Sequence, residues 1–336
     1  MDTAPKLHPP ILIDRERLAS LMGAGDYLAA VESAFRAHAE GRTTMPLPLH
    51  IAVEGGGFHA KGARVDDYVA VKVNSNFPAN SARGLPTIQG AVLLYDANDG
   101  RLLAILDSIE ITSKRTAAAT ALAARYLARA DARTVAILGC GEQGRAQLAA
   151  LWSSRPVQRA YAWDAVAGKA RDFAREMGDA LEIEVIAVDA LRDATLASDI
   201  IVTATSSPAP FLGRDDVRPG TFIAAIGADN PHKSELHPDL FVGTKVVVDD
   251  LQQASTMGDL HHAMRALNPC EGAGTIVHAE LAEVVAGQKP GRTSDTEITV
   301  FDSTGLAIQD VASAIVAYAR LIADDAGSRA NDCRIG

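Results

Sequence analysis

From residue 134 onward the chain alternates short apolar runs with stretches whose apolar positions recur every three or four residues. The runs at 134–138, 159–163, 184–188, 200–205, 221–226 and 245–248 are apolar on both faces, as strands between two layers of helix must be. Residues 143–152 carry apolar side chains at helical spacing. Strand and helix in alternation predict an α/β region built on a doubly wound parallel sheet. The earlier part reads as α+β. Asp26 is placed to cap a helix whose apolar face is Tyr27, Val31 and Phe35 and whose end is marked by Gly41. Strands are expected at 69–73, 91–95 and 102–106, the last two joined through Asn98-Asp99-Gly100. Thr112 then caps a long helix through Tyr126. Ile308, Val311, Ile315, Tyr318 and Ile322 form one helical stripe, which predicts a C-terminal helix returning to the first region. The expected division is 1–118 with 305–336 as a discontinuous α+β domain, and 119–304 as the parallel-sheet domain.

The run Val135-Ala136-Ile137-Leu138-Gly139-Cys140-Gly141-Glu142-Gln143-Gly144 ends an apolar strand in G-x-G-x-x-G and passes straight into a helix. Glycines at that spacing make a tight turn, let backbone approach a pyrophosphate and let helix pack on strand, which is the dinucleotide turn of a Rossmann fold. Asp164 ends the next strand, about 20 residues on, where a carboxylate accepts from the adenosine ribose. A free 2′-hydroxyl suits that carboxylate and a 2′-phosphate does not, so NAD is the expected cofactor; Lys169 and Arg171 on the following helix keep NADP possible.

The chain has 336 residues, enough for two domains, and a formal net charge of −10 with no basic run, which argues against a nucleic-acid or anionic-membrane partner. Cys140, Cys270 and Cys333 have no paired or metal-like spacing, and no signal-like or membrane-spanning stretch is present, so a cytoplasmic location is expected.

Period-2 geometry puts Val69, Val71 and Val73 on one face of their strand and Lys72 with Ala70 and Asn74 on the other. Lys72 is then either a solvated or ion-paired strand residue or a functional cation. Arg115 falls in the first turn of the helix expected from Thr112, where the helix dipole disfavours a cation, so either a bound carboxylate offsets that cost or a neighbour pairs with it. Asp229 follows an apolar strand at the edge where ligands of open α/β sheets bind. It reads as a proton-handling carboxylate or as a turn aspartate. His261, His262 and His278 lack the acidic partners and geometry of a metal site, and none is expected; His50 and His59 are candidates to line a substrate pocket or to sit at strand ends.

Together these residues resemble the ornithine cyclodeaminase/mu-crystallin family, which includes alanine dehydrogenases and ketimine reductases. The likeness rests on Val71-Lys72-Val73, Gly84-Leu85-Pro86-Thr87-Ile88-Gln89-Gly90, Thr112-Ser113-Lys114-Arg115-Thr116-Ala117-Ala118, the glycine turn, Ile226-Gly227-Ala228-Asp229, and Phe301-Asp302-Ser303-Thr304-Gly305 with Gln309-Asp310. It implies that Lys72 and Arg115 bind a substrate carboxylate near Thr87, that Asp229 is the acid/base beside the nicotinamide with Lys72 in the catalytic set, and that the first domain forms a homodimer. Cofactor contacts are expected at Gly139, Gly141, Glu142, Gln143, Gly144, Asp164, Thr205, Ser206, Gly227, Ser303 and Gly305. Pro48 stands where many members have a basic residue, and His59-Ala60-Lys61-Gly62 replaces the E-x-M-P strand of cyclodeaminases; Lys61 and His50 are accordingly placed with the substrate-binding set. The implied activity is NAD(P)H-dependent reduction of a small 2-imino acid to an L-amino acid. Ornithine cyclodeamination with bound NAD and a mu-crystallin-like binding role are the alternatives.

Overall fold

The computed structural model describes residues 9–267 and 276–332; Cys270 and Cys333 lie outside them. Two compact units emerge, one running to Arg115 and resuming at Ala307, the other spanning Thr116–Leu306. The elements are, in chain order, β1 (Ile11–Ile13), α1 (Arg15–Leu21), α2 (Ala24–Ala39), β2 (Thr43–Thr44), β3 (Leu49–Val53), β4 (Gly56–Val65), β5 (Tyr68–Asn76), β6 (Ile88–Asp96), β7 (Leu102–Asp107), α3 (Ser108–Leu127), β8 (Thr134–Leu138), α4 (Glu142–Ser154), β9 (Arg159–Trp163), α5 (Ala167–Leu181), β10 (Glu184–Ala187), α6 (Leu191–Thr195), β11 (Ile200–Thr203), β12 (Phe222–Ala225), β13 (Lys245–Val248), α7 (Leu251–Ala254), α8 (Asp259–Leu267), β14 (Val277–Glu280), α9 (Leu281–Val285), β15 (Thr299–Asp302) and α10 (Ala307–Asp332).

Among the described residues the first unit holds a sheet ordered β1-β7-β6-β5-β4-β2, with β3 also paired to β4. Helix α10 packs on β4, β5 and β6 and against α2, so one face of the sheet is covered. That face carries Ala70, Val92, Leu94, Ala104 and Leu106, all buried, and Lys72 among them. On the other face stand Phe58, Val71, Val73 and Leu93, continued by Leu49, Ile51 and Val53 on β3 and Leu12 on β1 through the strand register. There Leu12 is 75%, Leu49 57%, Ile51 52%, Phe58 40% and Val73 39% exposed. An apolar sheet face left open in this way marks an interaction surface.

Several local expectations are corrected. Helix α2 begins one turn earlier than its expected cap: Asp26 sits at the third helical position, and its carboxylate accepts from the Gly23 N–H at 2.8 Å, which satisfies a donor that glycine cannot cap itself. Helix α3 starts at Ser108, directly after β7, because Asp107 Oδ1 accepts from the Ile109 and Glu110 N–H groups at 3.0 and 2.8 Å. Thr112 is therefore inside the helix, and Arg115 is beyond its first turn. The dipole argument for Arg115 falls away. In α10 the buried line is Ile308, Val311, Ala314, Ala317 and Leu321, whereas Ile322 is 43% exposed; Ile315 and Tyr318 lie at its margin, half-buried.

The second unit is an eight-stranded parallel sheet among the described residues, ordered β10-β9-β8-β11-β12-β15-β13-β14. Beginning at β8 the chain builds outward through β9 and β10, then returns to β11 on the other side. The strand order reverses at β8 and β11, and open α/β sheets bind ligands outside the carboxyl ends of strands at such a point. β8, β11 and β12 are buried on both faces, and α8 adds Leu260 and Ala263 to the same core as Leu138, Ile201, Ile223 and Val246.

Candidate functional site

The first unit buries its charge in one network. Lys72 on β5 reaches Asp310 Oδ2 at 2.8 Å and donates to the Thr112 hydroxyl at 3.1 Å. Arg115 on α3 directs Nε to Asp310 Oδ1 at 3.0 Å and Nη1 to the Gln309 side-chain carbonyl at 2.8 Å. Lys72, Arg115 and Asp310 are each at least nine-tenths buried. Burial pushes the Lys72 amine down to about 7, against the pull of Asp310. Burial alone would raise the Asp310 carboxyl, but the Arg115 and Lys72 charges outweigh it and hold it below the usual carboxylate range. Two cations thus share one carboxylate, an arrangement that leaves a positive field for an anion. Lys61 stands opposite Lys72 in the β4–β5 register, on the same face. Sequence reasoning gave Asp310 no role; its signal is an acid and an amide, Gln309-Asp310, in the first turn of an otherwise apolar helix stripe.

The other expected substrate residues are placed less closely. His50 pairs with His59 across β3 and β4, ring to ring at 4.3 Å, one cross-strand row beyond Lys61. Thr87 precedes β6, and its carbonyl accepts from the Phe77 N–H at 2.8 Å.

In the second unit Gly139 has φ +109°, and a Cβ there would lie 2.5 Å from the Ala204 carbonyl oxygen past β11. A Cβ on Gly144 would lie 2.2 Å from the Gly139 carbonyl oxygen. The strand, turn and helix therefore approach as closely as the motif requires. Helix α4 begins after Gly141 with no side-chain cap, Glu142 and Gln143 opening its first turn. Gln143 Oε1 is buried there without a hydrogen-bond partner, an acceptor suited to a ribose hydroxyl. Asp164 braces the turn: Oδ2 accepts from the Cys140 N–H at 3.0 Å and Oδ1 from the Val166 N–H at 2.9 Å. Each oxygen keeps a further lone pair for a ribose hydroxyl, so the residues present fit an adenine dinucleotide. Burial, reinforced by Asp164, pushes the Cys140 thiol up to about 12, which makes it a packing residue. Gly144→Ala should loosen α4 from β8; we expect at least about a tenfold weaker dinucleotide affinity, read by quenching of protein fluorescence, together with a lower thermal midpoint.

The carboxyl ends of the central strands are held by buried acids that sequence reasoning did not assign. Asp249 accepts from the Thr304 and Gly305 N–H groups at 2.8 and 2.6 Å and lies 3.4 Å from the Ser303 hydroxyl. Ser303 and Gly305 are thus tied into this brace. Asp302 accepts from the Leu260 N–H at 2.8 Å, and burial beside Asp259 raises it well above the carboxylate range. Thr205 and Gly227 both donate to Glu235. Ser206 is exposed beside Thr205. Asp229 lies four residues past β12, its side chain 57% exposed and 2.8 Å from Lys233 Nζ. His261, His262 and His278 each bond a backbone carbonyl, of Ser255, Lys233 and Pro290. No helix among the described residues is long and apolar enough to cross a membrane.

Known proteins are similar to this chain over nearly its whole length. An alanine dehydrogenase of Archaeoglobus fulgidus is 37% identical over 332 residues, covering 97% of this chain and 99% of its own. The solved structure of an archaeal alanine dehydrogenase dimer with bound NAD superposes with a TM-score of 0.89 at 37% identity, covering 94% of this chain and 97% of that one. The Δ1-pyrroline-2-carboxylate reductase of Thermococcus litoralis, solved with NADH and L-proline, gives 0.88 at 34% identity, with 94% and 98% covered. The sequence model of the ornithine cyclodeaminase/mu-crystallin family matches residues 12–325, and this chain belongs to that family.

Proposed function

We propose that this protein is an NAD(P)H-dependent oxidoreductase that reduces the C=N bond of a small 2-imino acid to give an L-amino acid, with a cyclic ketimine such as 1-pyrroline-2-carboxylate, or the imine of a 2-keto acid, as substrate. The observation that carries this reading is the buried Lys72–Asp310–Arg115 network: an arginine and a lysine held rigidly around one carboxylate suit a second, incoming carboxylate. Arg115 uses Nε and Nη1 on Asp310 and Gln309, and its Nη2 edge then takes the ligand. Lys72 contributes a third N–H to the same anion, and Lys61 adds to the field. Fixing the carboxylate fixes the adjoining C=N carbon for attack.

The glycine turn, Gln143 and Asp164 hold the dinucleotide in this reading, and Thr205, Ser206, Gly227, Ser303 and Gly305 line or support its crevice. The nicotinamide supplies the hydride at C4 when bound. Asp229 carries the proton that the substrate nitrogen needs, or balances the iminium charge while hydride adds to carbon; in the reverse direction its carboxylate accepts that proton. The amine product leaves with one proton and one hydride more than the imine.

Incubation with NADH or NADPH and a panel of cyclic ketimines, 2-keto acids with ammonia, and ornithine tests the reading. Oxidation of the nicotinamide that depends on an imino acid is the expected result. Consumption of ornithine with release of ammonia and no net change in nicotinamide absorbance would establish the cyclodeaminase instead, and ligand binding without turnover the mu-crystallin-like role. The first unit, in this reading, also forms the homodimer, with a second copy covering the open face that carries Val73 and Phe58. Val73→Asp places a charge in that apolar face, and the expected result is a halved mass by light scattering; a dimer that survives it forms elsewhere.

A further inference from the structure

Glu235 joins two strand ends that the proposed reaction depends on. It is fully buried. Its Oε1 accepts from both the N–H and the hydroxyl of Thr205, each at 2.6 Å. Its Oε2 accepts from the Gly227 N–H at 2.8 Å and the Thr203 hydroxyl at 2.6 Å. Four donors use the acceptor capacity of one carboxylate, and the two backbone donors, one on each oxygen, cannot turn away. A glutamine of the same shape offers one acceptor oxygen and would set its NH2 against a backbone N–H. The opposite side is fixed as well, because the Glu235 N–H donates to Asp259 Oδ1 at 2.7 Å. A Cβ on Gly227 would lie 2.4 Å from Glu235 Oε1 and 2.5 Å from the Thr205 carbonyl oxygen, so glycine is what lets the two turns close on the carboxylate. Thr205 lies just past β11 and Gly227 just past β12; Asp229 follows, its N–H bonded to the Gly227 carbonyl at 3.0 Å.

We propose that Glu235 is a positioning residue: as an ionised staple it sets the spacing of the β11 and β12 turns and, through Gly227, the place of Asp229, without touching substrate or cofactor. The inference rests on the reading of Asp229 as the proton-handling group.

Ionisation is costly there. Burial, and then the charge of Asp259 on α8, raise Glu235 to about 7 against the pull of the Thr203 and Thr205 donors. The folded state binds this proton more tightly than the unfolded chain does. The group's contribution to stability is accordingly full in acid and is lost as pH rises through about 7. Mild acid therefore does not unfold the protein through Glu235; it turns one acceptor into a donor and loosens the staple locally.

The test compares wild type with Glu235→Gln and Thr203→Val in NADH-dependent reduction across pH 5.5–9 (about the span in which the staple titrates), with thermal midpoints as a check on folding. In the glutamine variant kcat should fall about twentyfold, KM for the imino acid should hold, and the acid limb of kcat near neutrality should vanish. Thr203→Val removes a donor from the ionised form only, so its acid limb should move to higher pH. An unchanged kcat and limb in a folded Gln variant overturns the proposal; if that variant does not fold, an unmoved limb in Thr203→Val does so. Wild type with no imino-acid turnover would instead remove the functional reading itself.

Discussion

Lys72→Met should lower kcat/KM for the imino acid by about 10³-fold while the affinity for NADH stays near that of wild type. Lys72 is the cation whose removal takes a charge from the carboxylate site and leaves Asp310, buried, with Arg115 as its charged partner. Loss of one charged partner in a desolvated site costs about 3–5 kcal/mol, against the 1.4 kcal/mol that makes each factor of ten. The fold suffers less than the reaction, because the amine's own desolvation cost disappears with it, and the thermal midpoint serves as the control. A pH signature separates this role from simple packing. With its amine pushed down to about 7, Lys72 is charged below that pH and neutral above it. The carboxylate therefore meets its full complement of charge only on the acid side, and kcat/KM should fall as pH rises through about 7, a limb that the methionine variant lacks. This limb is opposite in sense to the one assigned to Glu235, which is ionised above about 7. Wild type should show a bell, and each variant should open one side of it. A methionine variant that keeps both the rate and the alkaline limb would remove Lys72 from the site.

The parallel sheet was legible because its central strands are apolar on both faces and separated by helical periods; those two signals do not depend on distant contacts. The same clarity failed in the first unit. β4 contains Gly56, Gly57 and Gly62, and its covered-face positions include His59 and Lys61, so it has no apolar alternation to find. For β5 the alternation puts Lys72 and Ala70 on one face, but alternation does not say which face is covered. The lysine face is the covered one and the valine face is open, the reverse of the ordinary expectation for a strand. Thr112 resembles a cap, which would put Arg115 in a first turn; Asp107, which ends β7 and begins α3 at once, is the cap. Local chemistry offers both residues, and only the absence of any loop between strand and helix decides between them. Glu235 lies in no motif, and Asp310 stands in a matched stretch, Gln309-Asp310, that does not say what it does. Their importance comes from partners 30 and 195–238 residues away in the chain, such as Thr205 for the one and Arg115 and Lys72 for the other.

Asp229→Ala should reduce kcat by about 10²-fold or more and leave NADH binding nearly intact, because a positioned acid or base supplies that much to a proton transfer. The carboxylate lies beyond the carboxyl end of β12, on a turn fixed by Gly227 and 2.8 Å from Lys233 Nζ, where a carboxylate can accept a proton from an amine or stand beside an iminium. Asp229→Asn distinguishes these uses. An amide keeps the shape and the hydrogen bond yet neither carries the proton nor balances a positive nitrogen, so the Asn variant should be as slow as the Ala variant. If Asn restores most of the rate, orientation is the role of this side chain and the proton travels by another group. Reduction with nicotinamide deuterated at the transferred position supplies the second readout. Slowing the chemical step should raise the isotope effect on kcat in both variants, whereas a variant impaired only in product release would show none. Full turnover in Asp229→Ala, with an unchanged isotope effect, would take Asp229 out of the mechanism and with it the functional basis for the staple at Glu235.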